Sequence, residues 1–193
     1  MPTSTAPYHH GDLSAACLRA AMELLEEGGA TELSLRAVAR RAGVSPGAPY
    51  RHYANREALL SAVAAVGYRE LAALLDSAQR APASPDDLAD VAVAYVRFAL
   101  DRPALFRAMF GEPCDQGRER VAAAAVISEY LGAIVRRIFP DVDEGAMSTA
   151  VWALVHGLAF LHLDGKLDSS DPGEVSARVR AAINAMLGAS GGD

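Results

Sequence analysis

Cysteine and tryptophan are scarce in this chain of 193 residues, which has two cysteines and one tryptophan. Cys17 and Cys114 are too few for a disulfide framework, and Cys17 lies on the apolar face of a predicted helix, where a buried thiol is expected. The N-terminus lacks a basic segment followed by an apolar run, so no secretory signal is predicted. The longest nearly apolar stretch, residues 151–163, is too short to span a bilayer. We therefore expect a soluble, cytoplasmic protein.

Sequence motifs of catalysis and metal binding are absent as well. The chain has no glycine-rich phosphate loop, no Gly-x-Ser-x-Gly, and no cysteine or histidine pairs at metal-ligand spacing. His156 and His162 are six residues apart, about 120° around a helix, so they cannot form a two-histidine clamp. No enzyme activity, cofactor or metal is predicted, although an enzyme built on a ligand-binding helical bundle remains an alternative.

Acidic residues are missing from one window, residues 33–56, although the whole chain carries a net charge of −6. That window carries +5 from five arginines, so the rest of the chain carries −11. The five are Arg36, Arg40, Arg41, Arg51 and Arg56. A cationic island on an acidic protein is expected where one small surface meets nucleic-acid phosphates and the remainder avoids them. A solvated helix face is the alternative that charge alone leaves open.

Hydrophobic periodicity predicts helices throughout the chain. Between residues 13 and 24, apolar side chains recur at spacings of 3, 4, 7, 8 and 11, which is one face of a helix. No stretch alternates with period two for long enough to predict a strand. The predicted fold class is all-α with about nine helices, namely a three-helix N-terminal domain and a C-terminal helical bundle.

Two short predicted helices around Gly43 have the spacing of a helix-turn-helix. Ser34 is placed to cap the first of them, and Gly43 ends it. Ser45 and Pro46 provide a hydroxyl cap and a proline at the first position of the second helix, which is predicted to run to about Tyr53. Small residues form its first turn, so its N-terminal end can approach base edges in the major groove of DNA.

The segment from Tyr8 to about Leu60 resembles the N-terminal domain of TetR-type (tetracycline-repressor-like) transcriptional regulators. It reads YHHGDL at its start and LSLRAVARRAGVSPGAPYRHYANREALL from residue 33 onward, without gaps. A second stretch, VWALVHG at residues 151–157, is similar to the Trp-His-Gly pattern in the C-terminal domain of one branch of that family. The resemblance implies a DNA-binding domain at residues 8–58, a connecting helix at 59–80, and a ligand-sensing and dimerisation domain at 81–189.

The resemblance also implies which residues contact the partner, a double-stranded and palindromic DNA operator. These residues lie at the start of the first helix of the motif, within its second helix, or just after the second helix. The set consists of the backbone-contacting Ser34, Arg36 and Arg56, the groove-facing Ser45, Pro46, Gly47 and Ala48, the phosphate-holding Tyr50 and His52, and the base-reaching Arg51.

Pro49 departs from the family pattern, which usually has an aliphatic residue at that position. Proline removes one main-chain hydrogen bond, although near the first turn it need not break the helix. We therefore expect the start of the recognition helix to be tilted or tightened. Tyr53, four residues later on the same face, is predicted to be a core residue.

Bulky apolar side chains are spread over the predicted C-terminal helices, where a hydrophobic core is the simplest interpretation. A helical bundle with such adaptable residues can also enclose a cavity for a small, mainly apolar effector. Tyr130 and His156 would each offer it one hydrogen bond, whereas a highly charged ligand would lack partners. An adaptor without any ligand is the alternative, and for His156 a core or dimer-interface role fits equally well. The predicted lining is Tyr95, Phe98, Phe106, Met109, Tyr130, Trp152 and His156.

The last two predicted helices carry more apolar surface than one bundle easily buries, which predicts a homodimer closed by a four-helix interface. On the first helix the predicted interface consists of small and apolar residues between positions 146 and 161. On the second it consists of Val175, Val179, Ala182, Ile183 and Met186. Such a dimer holds its recognition helices about 34–36 Å apart. An effector that prefers another spacing would release the operator, so the predicted function is a transcriptional repressor.

Overall fold

The computed structural model describes residues 10–79, 81–111 and 117–189. Within these ranges the chain forms eight α-helices, two 3-10 helices and no strand, which confirms the all-α prediction. The α-helices are one fewer than predicted because the third predicted helix is a 3-10 turn. The 3-10 helices are Ala30–Glu32 and Pro49–Arg51. The α-helices are α1 (His10–Gly28), α2 (Leu35–Arg41), α3 (Arg56–Ala78), α4 (Pro85–Asp101), α5 (Pro103–Phe110), α6 (Arg118–Ile138), α7 (Glu144–Leu163) and α8 (Pro172–Ala189).

Polar side chains cap several helix starts, among them the Ser34 cap predicted from the sequence. The Ser34 hydroxyl caps α2 and the Asn55 side chain caps α3, each accepting a backbone N–H three residues later at 3.1 Å and 2.8 Å. At the start of α4, Ser84 and Asp87 form a reciprocal capping box, and Pro85 occupies the first helical position. These helix starts are therefore determined by local sequence.

Helix α3 joins the two parts of the molecule. It packs against α1 in the N-terminal part and against α4, α5 and α6 in the C-terminal part. The Tyr68 hydroxyl donates to the Met109 carbonyl of α5 at 3.1 Å. At Gly67, an added Cβ would lie only 2.5 Å from the Met109 sulfur, so the two helices cross closely. A displacement of α3 would therefore change contacts in both parts of the molecule.

One buried apolar cluster extends through both parts of the chain, from α1 to α8. Cys17 is fully buried in it, as predicted, and burial raises the pKa of its thiol. A buried cysteine with a raised pKa is an unreactive core residue. Cys114 lies outside the described residues.

Two helices, α3 and α7, are long and apolar enough to cross a membrane when length and composition alone are considered. Helix α7 is longer than the apolar stretch of residues 151–163, which the sequence analysis judged too short to span a bilayer. In α3 the most apolar window is 56% buried, as in the core helix of a soluble protein, whereas in α7 only 33% is buried. The exposed apolar side of α7 is thus the feature that requires an explanation.

The interface predicted on α8 is wrong for three of its residues. Val175, Val179 and Ile183 are between 0% and 1% exposed and belong to the core of their own chain. The exposed side of α8 carries smaller residues instead, namely Ala177, Ala181, Asn184 and Ala185. On α7 the residues predicted for the interface and found exposed are Ala146, Ala150, Ala153, Gly157 and Leu161. Leu158, also predicted there, is only 8% exposed and belongs to the core. The largest apolar residues of α8 face inward because that is where they bury the most surface.

Candidate functional sites

The turn after α2 changes direction at Gly43. Its φ of +66° lies in the left-handed region, which favours glycine. Val44 then donates its N–H to the Ala39 carbonyl at 3.0 Å, which closes the turn against α2. The backbone leaves the turn along the exposed Ser45–Gly47 segment.

The second helix of the motif is a tight 3-10 turn rather than the predicted α-helix over residues 46–53. The Ala48 N–H donates to Ser45 at 2.9 Å, Arg51 to Ala48 at 3.2 Å, and His52 to Pro49 at 3.0 Å, all three residues apart. An α-helix would need the N–H of residue 49 to donate to Ser45, and proline has none. The expectation that Pro49 tightens the helix start is therefore confirmed, whereas at the end of the segment the Tyr53 N–H donates to the Pro49 carbonyl four residues earlier, at 3.0 Å.

Most of the predicted groove-facing residues lie on the surface. Tyr50 is 52% exposed, and Arg51, His52 and the Ser45–Gly47 segment are exposed too. Ala48 is a correction, because its side chain is only 9% exposed and belongs to the core. Tyr53 is buried, as predicted, with its hydroxyl near that of Ser14.

The first helix of the motif presents Ser34 and Arg36 at its exposed start. The Ser34 oxygen is used as the cap of α2, but its hydroxyl hydrogen can still be donated to an acceptor such as a phosphate. Arg36 makes no hydrogen bond or ion pair within the described part of the chain. Both positions are thus compatible with backbone contacts.

The cationic island is smaller than its five arginines suggest, because α1 neutralises Arg41. The guanidinium of Arg41 donates to both carboxylate oxygens of Glu27, at 2.8 and 2.5 Å, and to Glu23 at 3.4 Å. These hydrogen bonds raise the pKa of Arg41 and lower that of Glu27. Three exposed arginines of residues 33–56 pair with no carboxylate among the described residues, namely Arg36, Arg40 and Arg51.

Arg56 corrects a second expectation, since it is directed at the protein itself. Its Nε donates to the Leu33 carbonyl at 3.2 Å and its Nη2 to the Ala30 carbonyl at 2.7 Å. The predicted phosphate clamp is therefore a half-buried brace that ties the start of α3 to the segment between α1 and α2.

Replacement of Arg56 by alanine is expected to lower the free energy of unfolding by about 1–2 kcal/mol, because two carbonyls lose their donor. Arg40→Ala, which removes the same charge from an exposed position, should change it by less than about 0.5 kcal/mol. Urea denaturation of both variants measures the difference. Equal stability of the two variants would show that the brace contributes nothing.

Three neighbouring pockets lie beside α6 and α7 and share Trp152 in their walls. Their volumes are about 30, 240 and 330 Å³. Four predicted ligand residues line at least one of them, namely Tyr95, Met109, Tyr130 and Trp152. Phe98 and Phe106 are corrections, because they line none of these three pockets and are buried in the core.

His156 also lies outside the lining and is enclosed by aromatic rings. The ring centroids of Phe110, Phe160 and Trp152 lie 4.7, 4.9 and 5.4 Å from its own. Its Nδ1 is 2.9 Å from the Tyr95 hydroxyl. Burial lowers the pKa of His156 and raises that of Tyr95, so both groups are held neutral at physiological pH.

The hydrogen bonds predicted for a ligand are made within the protein instead. The Tyr130 hydroxyl lies 2.6 Å from the Gln79 carbonyl and 3.1 Å from that of Leu75, where it closes the C-terminal end of α3. The Nδ1 of His156 is occupied by Tyr95. The Tyr130 hydroxyl hydrogen is therefore already used within the protein, and at His156 the ring nitrogen Nδ1 is taken by Tyr95.

Sequence reasoning missed Arg120, which lines the 330 Å³ pocket near the start of α6. Its Nε is buried and has no hydrogen-bond partner in the described part of the chain. The spacing of Arg120, Ala124, Ile127 and Ser128 could have revealed it, because intervals of 4, 7 and 8 place all four on one face of a helix.

The comparison with known proteins agrees with this architecture. Residues 88–186, about half of the chain, match the family described as "Tetracyclin repressor-like, C-terminal domain". Residues 18–63 match "Bacterial regulatory proteins, tetR family". The chain belongs to the TetR family. The resemblance drawn from the sequence is thereby confirmed, while its finer assignment to a Trp-His-Gly branch stays a prediction.

Two similar solved structures each cover most of the chain. A solved protein of unknown function from Rhodococcus sp. RHA1 is 33% identical, with 92% of this chain and 96% of that chain covered and a TM-score of 0.77. A tetR-family regulatory protein from Rhodococcus RHA1, 24% identical with a TM-score of 0.67 over 89% of this chain and 95% of that chain, shares the fold.

Curated relatives point to the same class of protein. A helix-turn-helix-type transcriptional regulator of Mycobacterium tuberculosis is 32% identical over 124 residues, or 60% of this chain. The TetR chain spans about half of that protein's length, 53%. The family and these relatives are transcriptional regulators, not enzymes, so the alternative of a helical enzyme is set aside.

Proposed function

We propose that this TetR-family chain is a cytoplasmic, homodimeric repressor that binds a palindromic double-stranded DNA operator and is released by a small, mainly apolar effector. The observation that carries the proposal is the exposed surface around the Ser45–Gly47 segment. It presents the unpaired cations Arg36, Arg40 and Arg51 on a protein whose net charge is −6. Phosphate is the partner that fits such a surface.

We assign the proposed functions to three consecutive segments of the chain. Residues 8–58 bind DNA, residues 59–80 connect, and residues 81–189 sense the effector and dimerise; residues 8, 9, 80 and 112–116 of these ranges lie outside the described structure. The packing of α3 supports this division, since α3 contacts α1 on one side and the pocket-forming α5 and α6 on the other.

Release of the operator is proposed to be a shift between two states of the dimer. Tyr68 of α3 lines the largest of the three pockets and is hydrogen-bonded to α5. A ligand that fits the pocket better when α3 has moved favours the state with the altered spacing of the two recognition segments. It shifts the equilibrium by its difference in affinity for the two states and by nothing more.

The proposed dimer covers the exposed sides of α7 and α8. Small residues line both stripes, so helices of two subunits can approach closely in a four-helix interface. The same contact explains how α7 can be long and apolar in a protein outside the membrane.

Selection from a random DNA pool followed by binding measurements at several salt concentrations tests the proposal. Arg36→Ala should reduce the slope of log Kd against log salt by about two per dimer, because the lost phosphate contact occurs once per half-site, whereas Arg51→Ala, at the base-reaching position, should reduce the preference for the enriched sequence. Arg97→Ala, an exposed arginine of α4, is the matched control and should leave the slope unchanged. No enriched sequence, or equal slopes in Arg36→Ala and Arg97→Ala, would refute DNA binding by this surface.

A further inference from the structure

The 330 Å³ pocket combines an apolar body with a single charge. Its wall is formed by α3, α4, α5, α6 and α7, and the described residues of that wall include one cation and no carboxylate. The apolar and aromatic part of the wall consists of Tyr68, Tyr95, Met109, Phe110, Ala124, Ile127 and Trp152. Arg120 is the cation, and Ser128 adds a hydroxyl. A volume of this size is at the lower end of about 300–1,000 Å³, the range of small-molecule sites.

Arg120 has no carboxylate partner among the described residues, in contrast to Arg102, whose Nε is also unbonded but whose other guanidinium nitrogens pair with Glu26 and Glu70. Within the described residues it forms no ion pair, and its buried Nε makes no hydrogen bond. Five other arginines do pair with carboxylates, namely Arg41, Arg102, Arg107, Arg136 and Arg180. A buried donor without an acceptor is costly, so the position of Arg120 favours a ligand that brings one.

We infer that the effector is a small amphipathic monoanion, an aryl- or alkyl-carboxylic acid whose carboxylate pairs with Arg120; this inference rests on the proposed ligand-released function. A planar carboxylate matches the guanidinium fork. A neutral ligand could offer the Nε an acceptor but no charge to pair with the guanidinium, a cationic one would be repelled, and a dianion would lack a second cation among the described residues of the wall.

The geometry of α6 also sets the length of the ligand. Arg120 and Ser128 line the same pocket eight residues apart, a distance of about 12 Å along a helix. A carboxylate at Arg120 thus leaves room for a phenyl-propyl or heptyl chain that extends beside Tyr95 and Trp152. Dicarboxylates and large anions do not fit this description.

Arg120 is well placed to transmit binding to the DNA-binding part of the chain. It also lines a separate groove of about 330 Å³ whose walls include His52 and Tyr53. One side chain therefore borders both the effector pocket and the segment that follows the recognition turn. A carboxylate that fixes Arg120 changes the charge and packing at this junction.

Binding of matched probes to the full chain tests the inference. The probes are 4-phenylbutanoate and octanoate, with their amides and amines, measured by calorimetry and by the fluorescence of Trp152. Each acid is expected to bind at least ten-fold more tightly than its amide and to shift the emission, and the amines should bind more weakly than the amides. In Arg120→Gln the acid-to-amide ratio should fall to about one, since the charged partner is gone.

Arg137→Gln is the matched control, because it removes the same charge from an exposed position of α6 outside both the effector pocket and the groove beside His52 and Tyr53. It should keep both the acid preference and operator binding. Failure of both acids to bind, equal affinity for acid and amide, or an unchanged ratio in Arg120→Gln would overturn the inference. Operator binding by the ligand-free protein is measured separately, so a chain that binds DNA but no acid would contradict only the effector class, whereas a chain that binds acid but no DNA would contradict the proposed function.

Discussion

Gly157→Arg is expected to convert the proposed dimer into monomers and to weaken operator binding by about a hundred-fold to ten-thousand-fold, the range lost when two linked half-site contacts become one. Gly157 lies on the exposed stripe of α7, where an added Cβ would meet nothing within 4 Å in the single chain. In a tightly packed interface of small residues, a long charged side chain has no room and no partner. The folded monomer should tolerate it, since arginine favours a helix more than glycine does.

Sedimentation at micromolar protein measures the predicted dissociation, and circular dichroism checks that the helices persist. Ala122→Arg is the control, because it adds the same side chain at an exposed position of α6. A dimeric Gly157→Arg variant, or a monomeric unmodified protein, would show that the α7 stripe is not the interface.

Gly47→Glu is expected to abolish operator binding, by more than about a hundred-fold, without loss of stability. The position is exposed, and an added Cβ would meet nothing within 4 Å, so the free protein can accept a side chain there. On DNA the same side chain would stand between the recognition turn and the groove, where it adds bulk and repels phosphate. The loss of about two phosphate-facing contacts per half-site and the added repulsion account for the size of the effect.

Two variants separate bulk from charge in that experiment. Gly47→Ala adds only a methyl group and should weaken binding less than Gly47→Glu. Ala73→Glu places the same acid on the exposed side of α3 and should leave both affinity and the thermal midpoint unchanged. Retained operator affinity in Gly47→Glu, measured by fluorescence anisotropy, would remove the recognition turn from the DNA interface.

Local sequence was sufficient to determine the helical class, the capped helix starts and the tightening at Pro49, although it predicted an α-helix where the recognition segment forms a 3-10 turn. The capping side chains of Ser34 and Asn55 lie within three residues of the N–H groups that they bind. Pro49 acts on the carbonyl four residues before it. Interactions between residues three or four positions apart can be inferred from the order of residues in the sequence, because the helical backbone fixes the geometry between the partners.

Tertiary structure decided which charges of the DNA-binding segment remain available. Arg41 is neutralised by Glu27 of α1, 14 residues earlier, and Arg56 is bound to carbonyls 23 and 26 residues earlier. Periodicity also could not say that Ala48 faces the core. A net charge of +5 in the window is a property of composition, whereas the exposed and unpaired charge depends on which distant side chains fold against it.

The same reason explains what became of the predicted effector site. Four of the residues predicted to contact an effector line pockets beside α6 and α7, but the hydrogen bonds of Tyr130 and His156 are made to residues more than 50 positions away in sequence. Only the packing of five helices left Arg120 as the one cation among the described residues of the pocket wall. The sequence by itself determined the class of protein and the position of its DNA-binding turn; the tertiary structure alone decided the chemistry of the pocket, because that chemistry depends on which polar groups remain without a partner after the chain has folded.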